Sequence, residues 1–348
     1  MKKRVVQLTA YVGMSGGVDS SVAAHLLKQQ GYRVVGVFLK PWQIPGMPCA
    51  WQADRTDALR VAVQLGIELK TWDLSRQYYQ HVTKDMVAQY KKGKTPNPDV
   101  LCNRFIKFGY FYRRARKEGA HIVATGHYAR IVKRKGVPLI AKGRDANKDQ
   151  SYFLWGLKPD QLVHVAFPIG DLTKPEVRAL ARTGGLITAD KKDSQGVCFV
   201  GHMDVKTFLM QHIKSKQGNI VSSDGRIIGT HDGAAYYTIG QRHGLDIRDG
   251  HGPYFVLGKH MRTNTITVGS ASELASRSAR VSRIVWFQRP ATFPTLVDVK
   301  IRYRTASVRA RIDARGVLTF LKPAQAVAPG QSAVMYRGDV LVGGGILV

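Results

Sequence analysis

Two rhythms of apolar and polar positions follow one another along this chain. Up to about residue 202, short apolar runs alternate with stretches in which apolar residues recur every three or four positions, the pattern of buried strands followed by amphipathic helices. Residues 5–12 read as a first strand and 22–30 as a helix that Gly31 ends; 32–40 read as a second strand, 56–65 as a helix closed by Gly66, and 67–74 as a third strand. A helix over about 75–92 follows. Next comes TPNPDVLCNRFIKFG, whose two prolines argue against a helix at its start, then a basic helix to about Glu118 and a strand over 120–131. Such alternation predicts a parallel sheet with helices on both faces and ligands beyond the strand C-termini. Thr173 and Glu176 have capping-box spacing, Pro175 sits in the first turn, and Gly184 and Gly185 stop that helix.

Beyond a further helix over 205–213 the period changes to two, with turn signals at SDG, HDG, RDG and RTN. Residues 221–269 read as a small β-rich domain and 279–348 as a closed or nearly closed barrel. The fold class expected is therefore α/β for an N-terminal domain over 1–202, a central β-rich domain over 203–275 and a C-terminal β-barrel over 276–348.

Composition adds a partner. The 348 residues carry a formal charge of +29, with Lys and Arg spread throughout, which favours a polyanion such as nucleic acid; a generally basic proteome is the alternative. No run approaches the roughly 20 apolar residues of a membrane span and no secretion signal is visible, so a cytoplasmic protein without membrane contact is expected. Three cysteines do not suggest a disulfide framework.

The stretch YVGMSGGVDSS, residues 11–21, lies between the first strand and its helix. Gly16 and Gly17 permit positive φ and close backbone approach, so successive N–H groups can form an anion cradle at a helix N-terminus. The alternative is an ordinary turn capped by Asp19 and Ser20. No Lys follows the glycines, which excludes the G-x-x-x-x-G-K-[ST] loop; SGGVDS instead resembles the PP-loop of ATP pyrophosphatases, which transfer AMP and release pyrophosphate. Cys102 and Cys198 each read as lying in a loop, among Gly, Asn, Pro or Asp neighbours, with Arg104 and Lys107, or Lys191 and Lys192, near in sequence. They read either as thiolates suited to persulfide chemistry or as two unrelated structural cysteines.

Five stretches, GMSGGVDSSV, TPNPDVLCNRFIKFG, ATGHYAR, KDQSYFL and DSQGVCFVG, occur in an order and spacing that resemble the tRNA-specific 2-thiouridylases. The resemblance implies ATP-dependent adenylation of the C2 oxygen of the wobble uridine, then its replacement by persulfide sulfur, with ATP and Mg²⁺ required. It implies ATP binding by Gly13, Met14, Ser15, Gly16, Gly17, Val18, Asp19, Ser20 and Gly126, with Leu39 offering backbone and apolar surface to adenine. Cys102 would be the nucleophile and Cys198 the persulfide carrier, its sulfur reaching C2 directly or after release as hydrogen sulfide by Cys102, with either route ending in a disulfide between them. Asp99 matches a position for general acid or base work, with turn capping after Pro98 as its other reading. Pro96, Asn97, Pro98, Asp99, His127, Lys148, Asp149, Gln150, Arg302, Tyr303 and Gln331 match positions that meet tRNA. His127 alone also reads as a structural histidine, and Arg302, Tyr303 and Arg304 as a solvated strand face.

The implied partners are the anticodon loops of tRNAs for Lys, Glu and Gln and a sulfur-relay protein or cysteine desulfurase. Another PP-loop synthetase, such as a tRNA lysidine synthetase or an amidotransferase-type enzyme, and a catalytically silent RNA-binding protein are the competing classes. The sequence departs from the family at Leu39-Lys40-Pro41-Trp42 and the following QIPGMPCAWQAD, where an acidic stretch is usual. Cys49 in that loop reads as a spare thiol or as a metal or sulfur-relay ligand. No metal ligand set is otherwise indicated.

Overall fold

The computed structural model describes residues 7–44, 50–192, 204–247 and 249–348. These form two compact units, one of residues 7–82, 99–192 and 339–341, the other of 83–98, 204–338 and 342–348.

In the first unit, strand β1 (Thr9–Gly13) leads into helix α1 (Val18–Gln29), followed by β2 (Arg33–Lys40), α2 (Ala50–Leu65) and β3 (Glu68–Asp73). Helix α3 (Ser75–Tyr78) passes through a π-helical turn, Tyr79–Thr83, into α4 (Lys84–Lys91), which belongs to the second unit. Then come α5 (Pro98–Leu101), a π-helical stretch Cys102–Phe111 and α6 (Tyr112–Lys117), then β4 (Ile122–Thr125), a hairpin of β5 (Ala129–Arg134) and β6 (Val137–Lys142), β7 (Val165–Ala166) and α7 (Lys174–Thr183). The sheet is parallel in the order β3-β2-β1-β4-β7.

Helices cover both faces. Val12, Val22 and Leu27 meet Val61 and Leu65 of α2 and Val177 and Ala181 of α7 on one side. Tyr11, Val35, Val37 and Trp72 pack on Phe111 and Ala115 on the other. Alternate β1 residues thus face opposite helical layers, which requires a strand apolar on both faces. In register, Gly13 stands opposite Val37 of β2 and Thr125 of β4, so the glycine loop and TGHY leave neighbouring strands at the same sheet edge.

Several elements differ from the sequence reading. Helix α1 begins at Val18, so the last residues of the glycine motif are already helical, and α2 begins at Ala50. Residues 95–97 are not helical, as the prolines require, but the helix follows at once: α5 starts at Pro98, where a missing N–H costs nothing because the first helical N–H groups have no partner within the helix. The strand expected over 120–131 is two strands broken at Gly126-His127-Tyr128, one in the parallel sheet and the other in an antiparallel hairpin. The capping interaction before α7 is present, with the Thr173 N–H and hydroxyl donating to Glu176 Oε2 at 2.6 and 2.9 Å.

In the second unit, α8 (Val205–His212) precedes β8 (Gly218–Ser222), β9 (Ile227–His231), β10 (Phe255–His260) and β11 (Thr265–Gly269), a four-stranded sheet in the order β10-β11-β8-β9. Six strands, β12 (Ala275–Trp286), β13 (Thr295–Lys300), β14 (Val308–Ile312), β15 (Val317–Gln325), β16 (Ser332–Arg337) and β17 (Val340–Leu347), form a barrel that the antiparallel β12–β17 pairing closes. Val297, Val299, Ile312, Leu318 and Met335 fill it, while Leu296 and Arg311 on the alternate positions are exposed. Closure leaves no free edge in this barrel.

Candidate active site

The glycine loop is built by side chains that answer backbone groups. Met14 N–H stays on the sheet, donating to Val37 O at 2.9 Å. Ser15 N–H donates to Ser20 Oγ at 3.1 Å, and the Ser20 and Ser21 hydroxyls donate to Gly17 O at 3.1 and 2.9 Å. Gly16 has φ 77°, and a Cβ there would lie 2.1 Å from Asp54 O. Gly17 does not share that conformation. It caps α1 at φ −97° and ψ 163°, open to any residue, and a Cβ on it would meet only Ser15 Oγ at 3.5 Å. Among the described residues the Cβ position of Gly17 is otherwise open, as close approach of an anion to the N-terminus of α1 requires. Neither Asp19 nor Ser20 is the cap; both lie inside the first turn.

Two lysines meet at this loop from sequence positions far downstream. Lys174, at the start of α7 and buried, places Nζ 2.8 and 3.0 Å from the two Asp19 oxygens, and Tyr128 OH donates to Asp19 Oδ1 at 2.8 Å. Lys191 Nζ reaches Gly16 O at 3.1 Å and Asp54 and Asp57 at 2.7 Å each. Burial works to lower the Lys191 pKa, and its bonds to Asp54 and Asp57 more than offset that, so it stays charged. Sequence reading missed Lys174 altogether; its one signal is its place directly after the capping Thr173, at a helix start.

A second group surrounds the helix of Cys102. This residue does not lie in a loop. It is buried and begins the π-helical stretch that α5 introduces. Asp99, one turn earlier, is half-buried, and burial raises its pKa against the opposing charge of Lys107. Lys107 Nζ lies 3.4 Å from His127 Nε2, and His127 Nδ1 lies 2.7 Å from Thr125 Oγ1. His127 is buried against Phe108 and Phe167. Burial first, and then the Lys107 charge, hold it well below the usual imidazole range. Lysine has no acceptor to offer, so Nε2 accepts from Lys107 and the single ring proton sits on Nδ1, donated to Thr125.

The remaining motifs are tied to these two groups. A Cβ on Gly126 would lie 2.6 Å from Asp19 C and Ser20 N, so the end of β4 abuts the first turn of α1. Gln150 exchanges bonds with Tyr128, accepting from its N–H at 3.0 Å and donating to its carbonyl at 2.8 Å. Asp149 is buried and accepts from Gly143 and Ser151 N–H at 3.1 Å each, holding the turn that carries half-buried Lys148. Asn103, next to Cys102, donates to Phe153 O at 3.2 Å. Leu39 lies near the end of β2, half-buried beside Trp72 of β3 in register.

The chain that carries these groups has close relatives. It is 44% identical over 98% of its length to the tRNA-specific 2-thiouridylase MnmA of Lysinibacillus sphaericus, covering 94% of that protein. It is 45% identical to the protein of that name from Pseudomonas aeruginosa over 97% of this chain and 93% of that one. The chain belongs to the tRNA-specific 2-thiouridylase family. Family models match in three blocks: a tRNA methyl transferase HUP domain over residues 8–202, a tRNA methyl transferase PRC-barrel domain over 206–270 and an aminomethyltransferase beta-barrel domain over 276–347. The first block contains the parallel sheet, the second the four-stranded sheet and the third the closed barrel, as the fold class expected from sequence required.

Other residues that the 2-thiouridylase resemblance singled out fall elsewhere. In the second unit, Thr95 N–H donates to Pro329 O at 2.9 Å and Gln331 Nε2 donates to Thr95 O at 3.0 Å, which brings Gln331 beside the segment of Pro96 and Asn97. Arg302 and Tyr303 are not on a strand, since β13 ends at Lys300; they lie in the turn that follows, and Arg302 donates to Ile239 O. Arg302 and Arg304 therefore do not share a strand face. Cys198 and Cys49 lie outside the described residues. Among the described residues no helix is long and apolar enough to cross a membrane.

The loop presents the N-terminus of α1 with the Cβ position of Gly17 open among the described residues. It does not offer a metal cage. Among the described residues no three His, Cys, Asp or Glu side chains gather, and both Asp19 oxygens accept from Lys174.

Proposed function

We propose that this chain synthesises 2-thiouridine in tRNA through an adenylated uridine. The observation that supports the reading most is the break after β4. On one side Gly126 abuts the first turn of α1 at the cradle; on the other, His127 meets Lys107 on the helix that carries Cys102. A nucleotide loop and a thiol-bearing helix thus flank the three-residue break between β4 and β5.

ATP lies with its β and γ phosphates over the loop from Gly13 to Ser20, and the C2 oxygen of the wobble uridine attacks the α phosphorus. The bond to pyrophosphate breaks, and pyrophosphate leaves toward the N–H groups of the cradle. Half-buried Asp99, whose pKa is raised by burial, takes the N3 proton that this step frees. The terminal sulfur of a Cys198 persulfide then attacks C2, and the C2–O bond breaks with AMP taking the electron pair. The Cys102 thiolate attacks Cys198 Sγ, the sulfur–sulfur bond breaks, and the thiouracil regains its proton from Asp99. A Cys102–Cys198 disulfide remains, and a dithiol reductant restores it. The substrate is the anticodon loop of tRNAs for Lys, Glu and Gln, whose unpaired bases leave their stack at little cost. A persulfide-bearing relay protein or cysteine desulfurase charges Cys198.

Replacing Cys102 by Ser separates the two halves of this scheme. With ATP and unmodified tRNA the variant is expected to release pyrophosphate at close to the parent rate and to form no 2-thiouridine. Full thiolation by that variant would remove Cys102 from the chemistry and favour a synthetase that needs no thiol.

A further inference from the structure

His127 has no proton to give a substrate: its Nε2 accepts from Lys107, its Nδ1–H serves Thr125, and its ring is buried between Phe108 and Phe167. The cation it holds is differently placed. Lys107 is half-buried, five residues beyond Cys102 in one π-helical stretch, and its ammonium lies 3.4 Å from Nε2 of His127, the residue after Gly126, on which a Cβ would lie 2.6 Å from the first turn of α1. An ammonium so held shares a helical stretch with the thiol and is bonded to the residue that follows the glycine packed on the cradle.

We propose that Lys107 is the catalytic cation that faces the α-phosphoryl group as AMP moves onto the uridine oxygen and leaves it again, and that His127 is its positioning residue. The inference rests on the adenylation reading above. Negative charge grows on the α-phosphoryl oxygens when pyrophosphate departs, and again on AMP when sulfur displaces it; both moments need a fixed positive group at that end of the nucleotide. The helix N-terminus serves the β and γ phosphates at the other end. A lysine standing free would sweep many rotamers. Its bond to His127 removes that freedom before substrate arrives, and the neutral imidazole can accept from the ammonium without a competing charge.

The test uses the full chain and four readouts: pyrophosphate release from ATP with unmodified tRNA, sulfur transfer in a single turnover, tRNA affinity, and the His127 ring titration by NMR. Lys107→Met is expected to slow both chemical steps by about 10²-fold, to change tRNA affinity less than threefold, and to raise the His127 pKa because the neighbouring cation is gone. Lys107→Arg should recover at least a tenth of the lost rate. Parent-like rates in a folded Lys107→Met protein overturn the proposal, and so does an Arg variant as slow as the Met variant. Where Lys107→Met does not fold, Lys107→Gln is read by the same criteria. If the parent protein itself releases no pyrophosphate with tRNA, the adenylation reading fails; if the parent does and the Met variant matches it, only the role of Lys107 fails.

Discussion

Burial between two phenylalanines, with Lys107 at Nε2, makes the neutral ring of His127 the stable form in the fold. The unfolded chain has no such environment, so there the imidazole takes a proton as pH falls below about 6.5 while the folded one does not. The unfolded state then binds more protons, and stability contributed by this residue is full above about pH 6.5 and is lost progressively as pH falls toward the depressed folded value. Asp99 works in the opposite sense at lower pH, because its folded pKa is raised. Thermal melting of parent and His127→Gln proteins between pH 7.5 and 5.5 checks this: the parent midpoint should fall more steeply, and equal slopes would mean that the folded ring takes up its proton as the unfolded one does. The position was legible in sequence only as TGHY after a strand. What the ring does depends on Lys107, twenty residues earlier, and on burial by Phe167 from a different segment, neither of which spacing reveals.

Strand–helix junctions decide where the chemistry sits. At the first, the two adjacent glycines are unequal. Gly16 needs its positive φ and touches Asp54 O, whereas Gly17 has ordinary extended geometry and open space above it. Gly16→Ala is expected to cost about 1–3 kcal/mol from backbone strain, with further loss from the contact at Asp54, and to abolish ATP binding by calorimetry. Gly17→Ala should fold as the parent does and lose ATP affinity only as far as the new methyl crowds the phosphates. Equal destabilisation of the two would contradict the loop geometry.

The parallel sheet and the capped α7 were readable because strands buried on both faces and a Thr-x-x-Glu start leave local marks. The start of α5 at Pro98 and the break within residues 120–131 were not. In the first, a proline mistaken for a barrier is a tolerated first helical residue; in the second, one apolar run serves two sheets, and only pairing partners distinguish them. For the same reason Cys102 reads as a loop residue from its neighbours and proves to be helical.

Across the whole molecule the charge of +29 is the feature that local structure does not explain. At the glycine loop Lys174 faces Asp19 and Lys191 faces Asp54 and Asp57, so these two lysines do not account for the surplus. It suits a substrate with a phosphate backbone, and binding through phosphates releases counterions. Affinity for tRNA should therefore fall by about 10³-fold or more between 50 and 200 mM salt if six or more phosphates are met; filter binding across that range measures it, and a flat response would assign the charge to something other than RNA.

The account turns on sulfur reaching the uridine through an adenylate. Incubation of the full chain with ATP, Mg²⁺, a persulfide-bearing sulfur donor and unmodified tRNA, followed by nucleoside mass spectrometry, tests this most directly. The expected result is 2-thiouridine together with AMP and pyrophosphate, dependent on ATP. Release of AMP and pyrophosphate with no sulfur in the tRNA, or sulfur incorporation without ATP, would contradict it.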